Sequence, residues 1–316
     1  MDQLEDLIKG AINGSKLALS KLITLVESNP EVVKVIANFI WPKTHKAHII
    51  GFTGAAGVGK SSLISSVVNE LTLNNYSIGV LAVDPSSPVS GGSLLGDRVR
   101  MTNIRHSDNV FIRSMSTTSE EALPLKALLS IEILDALGYD YIIIETPGVG
   151  QFNVGISQFA DTVILVLMPG AGDEIQALKA GIMEIGDIYV INKSDRPDAD
   201  ITFNQILFAL NDVNRNDWIP RVLKTSATHR IGIKELINAI NDHRSYLITT
   251  NKIEVKRMLR RTMELNLSIK YKITSKLNET LMRDPRVKNL YDLLVRGQIN
   301  PLSAADGVLE LMFKSN

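Results

Sequence analysis

Eight residues at 54–61, Gly-Ala-Ala-Gly-Val-Gly-Lys-Ser, follow the spacing G-x-x-x-x-G-K-[ST]. A loop of that kind can hold phosphate. Glycines let the main chain come close without a side chain in the way. The loop N–H groups and the N-terminus of the next helix then face anionic oxygens. The expected nucleotide-binding set is Gly54, Ala55, Ala56, Gly57, Val58, Gly59, Lys60, Ser61 and Ser62. Lys60 is placed to reach β- and γ-phosphates, and the Ser61 hydroxyl to bind Mg²⁺. A flexible Gly-rich turn is the plainer reading. It does not account for the apolar run "HIIGF" before the loop or for the Lys-Ser pair opening a helix after it.

A second group could read a base. "NKSD" at 192–195 ends another apolar run. A carboxylate at Asp195 accepts from the N1–H and 2-amino group of guanine. Adenine has no N1 donor, so such a site discriminates strongly. The stem of Lys193 can lie across a base, and Asn192 is placed to tie this loop to the phosphate loop. Four residues alone fit an ordinary polar turn equally well. Order adds weight: the phosphate loop comes first, "NKSD" several strands later, then "TSAT" at 225–228. There Ser226, Ala227 and Thr228 can offer contacts to the guanine O6. The joint pattern favours GTP over ATP.

Nucleotide hydrolysis needs carboxylates near Mg²⁺. Asp84 ends "VLAVD", Asp97 lies in "PSSPVSGGSLLGDRVRM", and Glu145 ends "YIIIE". Asp84 before Pro85 could equally make a turn, and Asp97 could pair with an arginine. All three fall on the edge expected to carry a ligand, so the expected metal set is Ser61, Asp84, Asp97 and Glu145. The catalytic set is Lys60, Asp97, Glu145 and Gly148, the last offering an N–H to a γ-phosphate. "ETPG" at 145–148 has Glu where D-x-x-G loops have Asp, and Val149 follows where many small GTPases carry a water-orienting Gln. Gln151 is not assigned that role by position. Slow intrinsic hydrolysis, raised by a partner, is the expectation.

Strands and helices must bring these groups together. Strand candidates lie at 47–54, 77–84, 109–115, 139–147, 161–169, 187–195 and 221–227. Several are continuously apolar, as parallel strands covered on both faces are. Alternation with helical stretches predicts an α/β fold, a doubly wound, mostly parallel sheet with ligand loops at the strands' C-terminal ends. Residues 1–40 read as helix punctuated at Asn13-Gly14 and Asn29-Pro30. The chain returns to helix after 232, with Ile233, Leu236, Ile237 and Ile240 on one face. The expected divisions are a helical extension at 1–46, an α/β nucleotide-binding domain at 47–250 and a helical arm at 251–316.

The 316 residues carry 34 basic and 34 acidic side chains, a balance that argues against broad capture of nucleic acid or anionic membrane. Cysteine is absent, which excludes disulfides, thiolate catalysis and Cys-ligated metal. The first residues have neither a signal-peptide core nor the basic character of a transit peptide. The longest apolar runs are far shorter than a membrane span. These features predict a cytoplasmic protein.

Taken together, "GAAGVGKSS", "DPSSPVSGGSLLGDRVRM", "ETPGVGQ", "PGAGDEIQALKAGIMEIGDIYVINKSD" and "TSA" resemble the MeaB/MMAA/ArgK family of P-loop GTPases. The second and fourth are long and specific. The resemblance implies a G-protein chaperone for an adenosylcobalamin-dependent acyl-CoA mutase, usually methylmalonyl-CoA mutase. It implies GTP hydrolysis coupled to cofactor loading and protection, and a homodimer to which the C-terminal arm contributes. "GDEIQALKAG" at 172–181 resembles a segment that signals to the mutase, with Asp173, Glu174, Gln176 and Lys179 as candidates. Those four read equally well as a capped helix with a solvated face. Ala55-Ala56 and Phe152 depart from the family pattern without removing a phosphate ligand. The D-x-H-x-x-G motif that many mutases use for cobalamin is absent, and His45, His48, His106, His229 and His243 lack that setting. They read mostly as surface or packing residues, so the chain is expected to serve a cobalamin enzyme without binding cobalamin itself. One alternative is a chaperone for another metalloenzyme, which sparse His and absent Cys weaken. Another is a kinase linked to amino-acid transport, for which the chain lacks H-R-D and D-F-G motifs.

Overall fold

The computed structural model describes residues 2–40, 46–85, 108–117, 125–146, 152–170, 185–211 and 218–314. Seven parallel strands form one sheet: β1 (His48–Thr53), β2 (Ile78–Pro85), β3 (Val110–Thr117), β4 (Tyr141–Glu145), β5 (Thr162–Leu167), β6 (Ile188–Ile191) and β7 (Arg221–Lys224). Their order is β3-β2-β4-β1-β5-β6-β7, with every pairing parallel. The doubly wound sheet expected from the alternation is therefore present; five strands fall within their predicted runs, while β2 runs one residue and β3 two residues beyond theirs.

β1, β4, β5 and β6 are buried along their whole length, which explains why Ile, Val and Leu dominate them. Alternate residues face opposite layers. Ile164 and Val166 of β5 join the core formed with α4 (Lys60–Leu73) and α8 (Ile233–Thr249). Leu165 and Leu167 pack instead with Ile206 and Ala209 of α7 (Ala199–Asn211). α4 buries Leu63, Ile64, Val67, Val68 and Leu71, one stripe at helical spacing. α8 buries Ile233, Leu236, Ile237 and Ile240, the face expected from sequence. α5 (Leu125–Ala136) packs on β2 and β4, and α6 (Phe152–Phe159) on β1 and β5.

Two compact units divide the chain, residues 1–261 and 262–316. The first includes α1 (Asp2–Ile12), α2 (Lys16–Ser28) and α3 (Val32–Ile40). Ser15 caps α2 by accepting from the Ala18 N–H at 3.3 Å. Arg113 of β3 donates to Glu27 Oε1 at 3.1 Å and Thr24 Oγ1 at 3.1 Å, fastening α2 to the sheet. α9 (Lys252–Arg283) begins in the first unit and ends in the second, which also holds α10 (Pro285–Val295) and α11 (Pro301–Lys314). Asp284 caps α10 through the Arg286 N–H at 2.9 Å, with Pro285 at the first helical position. Among the described residues, no helix is long and apolar enough to cross a membrane.

A buried polar chain closes the N-terminal edge of the sheet. His48 Nε2 lies 2.8 Å from Thr162 Oγ1, which lies 2.9 Å from His243 Nδ1. His243 Nε2 is 3.5 Å from Asp187 Oδ1. Asp161 accepts from the Ile49 N–H at 2.9 Å and from Arg260 of α9 at 3.3 Å. Arg260 also donates to the Phe159 carbonyl at 2.8 Å, satisfying the C-terminus of α6. Burial pushes His48 down to about 3 and His243 down to about 4, so both imidazoles are neutral at pH 7.

Candidate functional site

The opposite edge carries the phosphate loop. Residues 54–59 leave β1 and enter α4 under torsions suited to glycine: φ is +143° at Gly54, +80° at Gly57 and +94° at Gly59. Two of these positions also have no room for a side chain. A Cβ on Gly54 would lie 2.1 Å from the Val166 carbonyl oxygen, and one on Gly59 would lie 2.5 Å from Asn192 Nδ2. Gly59 caps α4 without a side-chain hydrogen bond, so the first-turn N–H groups face the loop rather than a capping hydroxyl. Lys60 curls back and donates to the Gly54 and Ala55 carbonyls at 2.8 and 3.0 Å. The ammonium thus lies over the loop that phosphate would enter.

Ser61 and Glu145, both in the expected metal set, meet. The Ser61 hydroxyl donates to Glu145 Oε1 at 2.8 Å, and both residues are buried. β1–β4 register pairs Phe52 with Glu145, which brings the carboxylate to the foot of the loop. Two hard oxygens side by side are the donor type that would suit Mg²⁺. No group of three or more metal-binding side chains occurs among the described residues. The Asp84 main chain pairs with Ser116, two residues beyond the Ala82–Glu145 pair. Asp97, Gly148, Asp173, Glu174, Gln176 and Lys179 lie outside the described residues.

Asn192 ties three loops to one another. Buried at the end of β6, it donates through Nδ2 to the Val58 carbonyl at 2.9 Å and, more weakly, to Gly59 at 3.4 Å. Its Oδ1 accepts from the Thr225 hydroxyl and the Ala227 N–H, each at 3.2 Å. Lys193 follows with φ +57°, a left-handed backbone that turns its side chain back toward the phosphate loop. Its ammonium donates to the Gly57 carbonyl at 2.6 Å, so the aliphatic stem spans from one loop to the other. Asp195 Oδ1 accepts from the Ser226 hydroxyl at 2.6 Å, and this bond holds its carboxyl below the usual range. Ser66 of α4 donates to the Ala227 carbonyl at 3.1 Å, supporting the same loop from the helix.

The structure therefore brings Lys60, Ser61 and Glu145 together, and separately Asn192, Lys193, Asp195, Ser226, Ala227 and Thr228. Sequence reasoning passed over three contributors. The Thr225 hydroxyl holds Asn192, Ser66 holds Ala227, and His229 Nδ1 approaches Ser226 Oγ to 2.9 Å. No spacing rule marks any of them. His48 and His243 are packing residues, as expected.

Comparison with known proteins agrees with this geometry. The model of a family described as "Methylmalonyl Co-A mutase-associated GTPase MeaB" matches residues 19–281. The Pyrococcus horikoshii protein PH0274 is 41% identical over 316 residues, covering 98% of each chain. The mouse "Methylmalonic aciduria type A homolog, mitochondrial" is 31% identical over 338 residues, covering 99% of this chain and 80% of its own. Among solved structures, one titled "LAO/AO transport system kinase" superposes with a TM-score of 0.70 at 25% identity, covering 99% and 98% of the two chains. A P-loop built into the centre of a parallel sheet, a family match over most of the length and relatives more than 30% identical along nearly the whole chain place it in the MeaB family of GTPases.

Proposed function

We propose that this chain is a Mg²⁺-dependent GTP hydrolase that acts as a switch on an adenosylcobalamin-dependent acyl-CoA mutase, gating cofactor loading and protection. The observation that supports the nucleotide half is the Asn192 junction, which ties the loops that carry Asp195 and Ser226 to the phosphate loop. Phosphate oxygens replace the Gly54 and Ala55 carbonyls as acceptors for Lys60, because a charged acceptor makes the stronger bond. Ser61, Asp84, Asp97 and Glu145 are the residues that would hold Mg²⁺, which would supply charge neutralisation at the β- and γ-phosphates. Asp195 takes the two guanine donors. Gly148 and the Asp173, Glu174, Gln176 and Lys179 segment carry the nucleotide state to the mutase.

Support for the mutase half is membership of a family described by its association with methylmalonyl-CoA mutase. A homodimer through the C-terminal helices is part of the same reading. Within residues 262–316, Leu265, Ile269 and Ile273 are 59%, 47% and 49% exposed at four-residue spacing along α9. Leu277, Leu281, Leu290, Tyr291 and Leu294 line an apolar cavity of about 340 Å³ in the same unit. Apolar surface of this kind is what a second copy covers.

Two experiments test the proposal. Asp195→Asn replaces an acceptor with an amide that can donate, so preference should move from guanine to xanthine nucleotides; binding assays showing retained GTP preference would refute base reading. The purified chain should also bind methylmalonyl-CoA mutase in a manner that depends on a non-hydrolysable GTP analogue, and its GTP turnover should rise at least about tenfold in the complex. A turnover equal to that of the free chain would remove the switch. ATP with acceptor substrates should yield no phosphotransfer.

A further inference from the structure

We propose that His229 is a positioning residue for guanine recognition, acting through Ser226 on Asp195. The inference rests on the reading of Asp195 as the base-binding carboxylate. Ser226 Oγ lies 2.6 Å from Asp195 Oδ1 and 2.9 Å from His229 Nδ1. A hydroxyl has one proton, and an ionised carboxylate can only accept. The Ser226 proton is therefore on the bond to Asp195, and the hydroxyl oxygen meets the imidazole as an acceptor. Nδ1 must then carry hydrogen. His229 Nδ1–H fixes the hydroxyl, and the hydroxyl fixes the carboxylate. In the other tautomer Nδ1 accepts, the hydroxyl turns toward the ring, and Asp195 loses its support.

Loop geometry brings these groups together. Ser226 and Ile231 form an isolated antiparallel bridge, exchanging N–H···O bonds of 3.0 and 3.1 Å. Arg230 at φ +57° closes the turn, which brings residue 229 back over residue 226. Thr228 Oγ1 stands 3.3 Å from both Ser226 Oγ and His229 Nδ1, flanking the contact. His229 Nδ1 is 3.7 Å from Asp195 Oδ1, too far to replace Ser226 as its donor. A carboxylate offers about four lone-pair sites, so one bond from Ser226 leaves room for both guanine donors. Holding the carboxylate in one rotamer before the base arrives removes an ordering cost from binding.

The test measures GDP and pyrophosphate affinity of the full chain by calorimetry. His229→Ala and Ser226→Ala should each weaken GDP binding about three- to tenfold, the span expected for one supporting hydrogen bond. The double variant should lose no more than either single one, because both act through one bond. His229→Asn should restore most of the affinity, since its amide nitrogen can occupy the Nδ1 position. Pyrophosphate, which has no base, should bind all variants alike. Wild-type GDP affinity in His229→Ala, losses that multiply in the double variant, a changed pyrophosphate affinity, or no rescue by His229→Asn would each overturn the assignment. Asp195→Asn separates the two levels. If it fails to turn toward xanthine, base reading itself falls; if it turns while His229→Ala is silent, only His229 falls.

Discussion

Lys60 donates to main-chain oxygens of its own loop, Gly54 and Ala55, and so waits over the space it serves. The side chain does not have to find the phosphate; it has only to exchange neutral acceptors for charged ones. Lys60→Ala removes the cation from the transition state, where charge spreads over the transferred phosphoryl oxygens. Single-turnover phosphate release should fall at least about a hundredfold, with weaker GTP binding beside it. Unchanged turnover would contradict the phosphate-loop assignment. Motif residues such as Lys60, Ser61 and Asn192 were legible in the sequence because their chemistry fixes their spacing. His229 and Thr225 were not. Each matters through a partner that only the folded loop brings near, and no local rule encodes that meeting.

At the scale of elements, the sheet was readable because burial on both faces leaves unbroken apolar runs, as in "YIIIE" and "TVILVL". β7 was harder in principle: it is short, lies at an edge and is partly exposed, and its place depends on pairing with β6 rather than on its own pattern. The polar chain under the sheet left no trace in the pattern, since His48 sits inside a run that otherwise reads as strand. It has a measurable effect. Unfolded imidazoles titrate near about 6.5, whereas burial holds His48 at about 3 and His243 at about 4. Between those values the unfolded chain binds more protons than the folded one. Stability is therefore level above pH 6.5 from these groups and falls as pH drops toward 4, by on the order of a few kcal/mol. Urea midpoints across pH 7.5 to about 4.5 should trace this loss. His243→Asn, which can keep the bond to Thr162 without a titrating ring, should lessen the loss and leave the part due to His48. A wild-type midpoint constant over that range would contradict neutral burial.

For the whole molecule, the homodimer proposed above uses the apolar side chains of the second unit as its interface. Ile269→Asp with Leu265→Asp should convert a dimer to a monomer in light scattering, with GTP binding unchanged because both residues lie outside the nucleotide-binding unit. A double variant that stays dimeric would place the interface elsewhere. On the proposed reading the nucleotide is gripped at two ends, and Asn192 ties the two loops together. That shared amide makes the two halves of the ligand cooperative. Pyrophosphate that settles the main chain at Val58 also steadies the amide that supports Ala227, so guanosine arriving second finds its loop already ordered. Thermodynamic linkage requires the favour to be returned: guanosine must tighten pyrophosphate by the same factor. A residue that touches neither half would then contribute to the affinity for the joined molecule beyond the sum of its fragments.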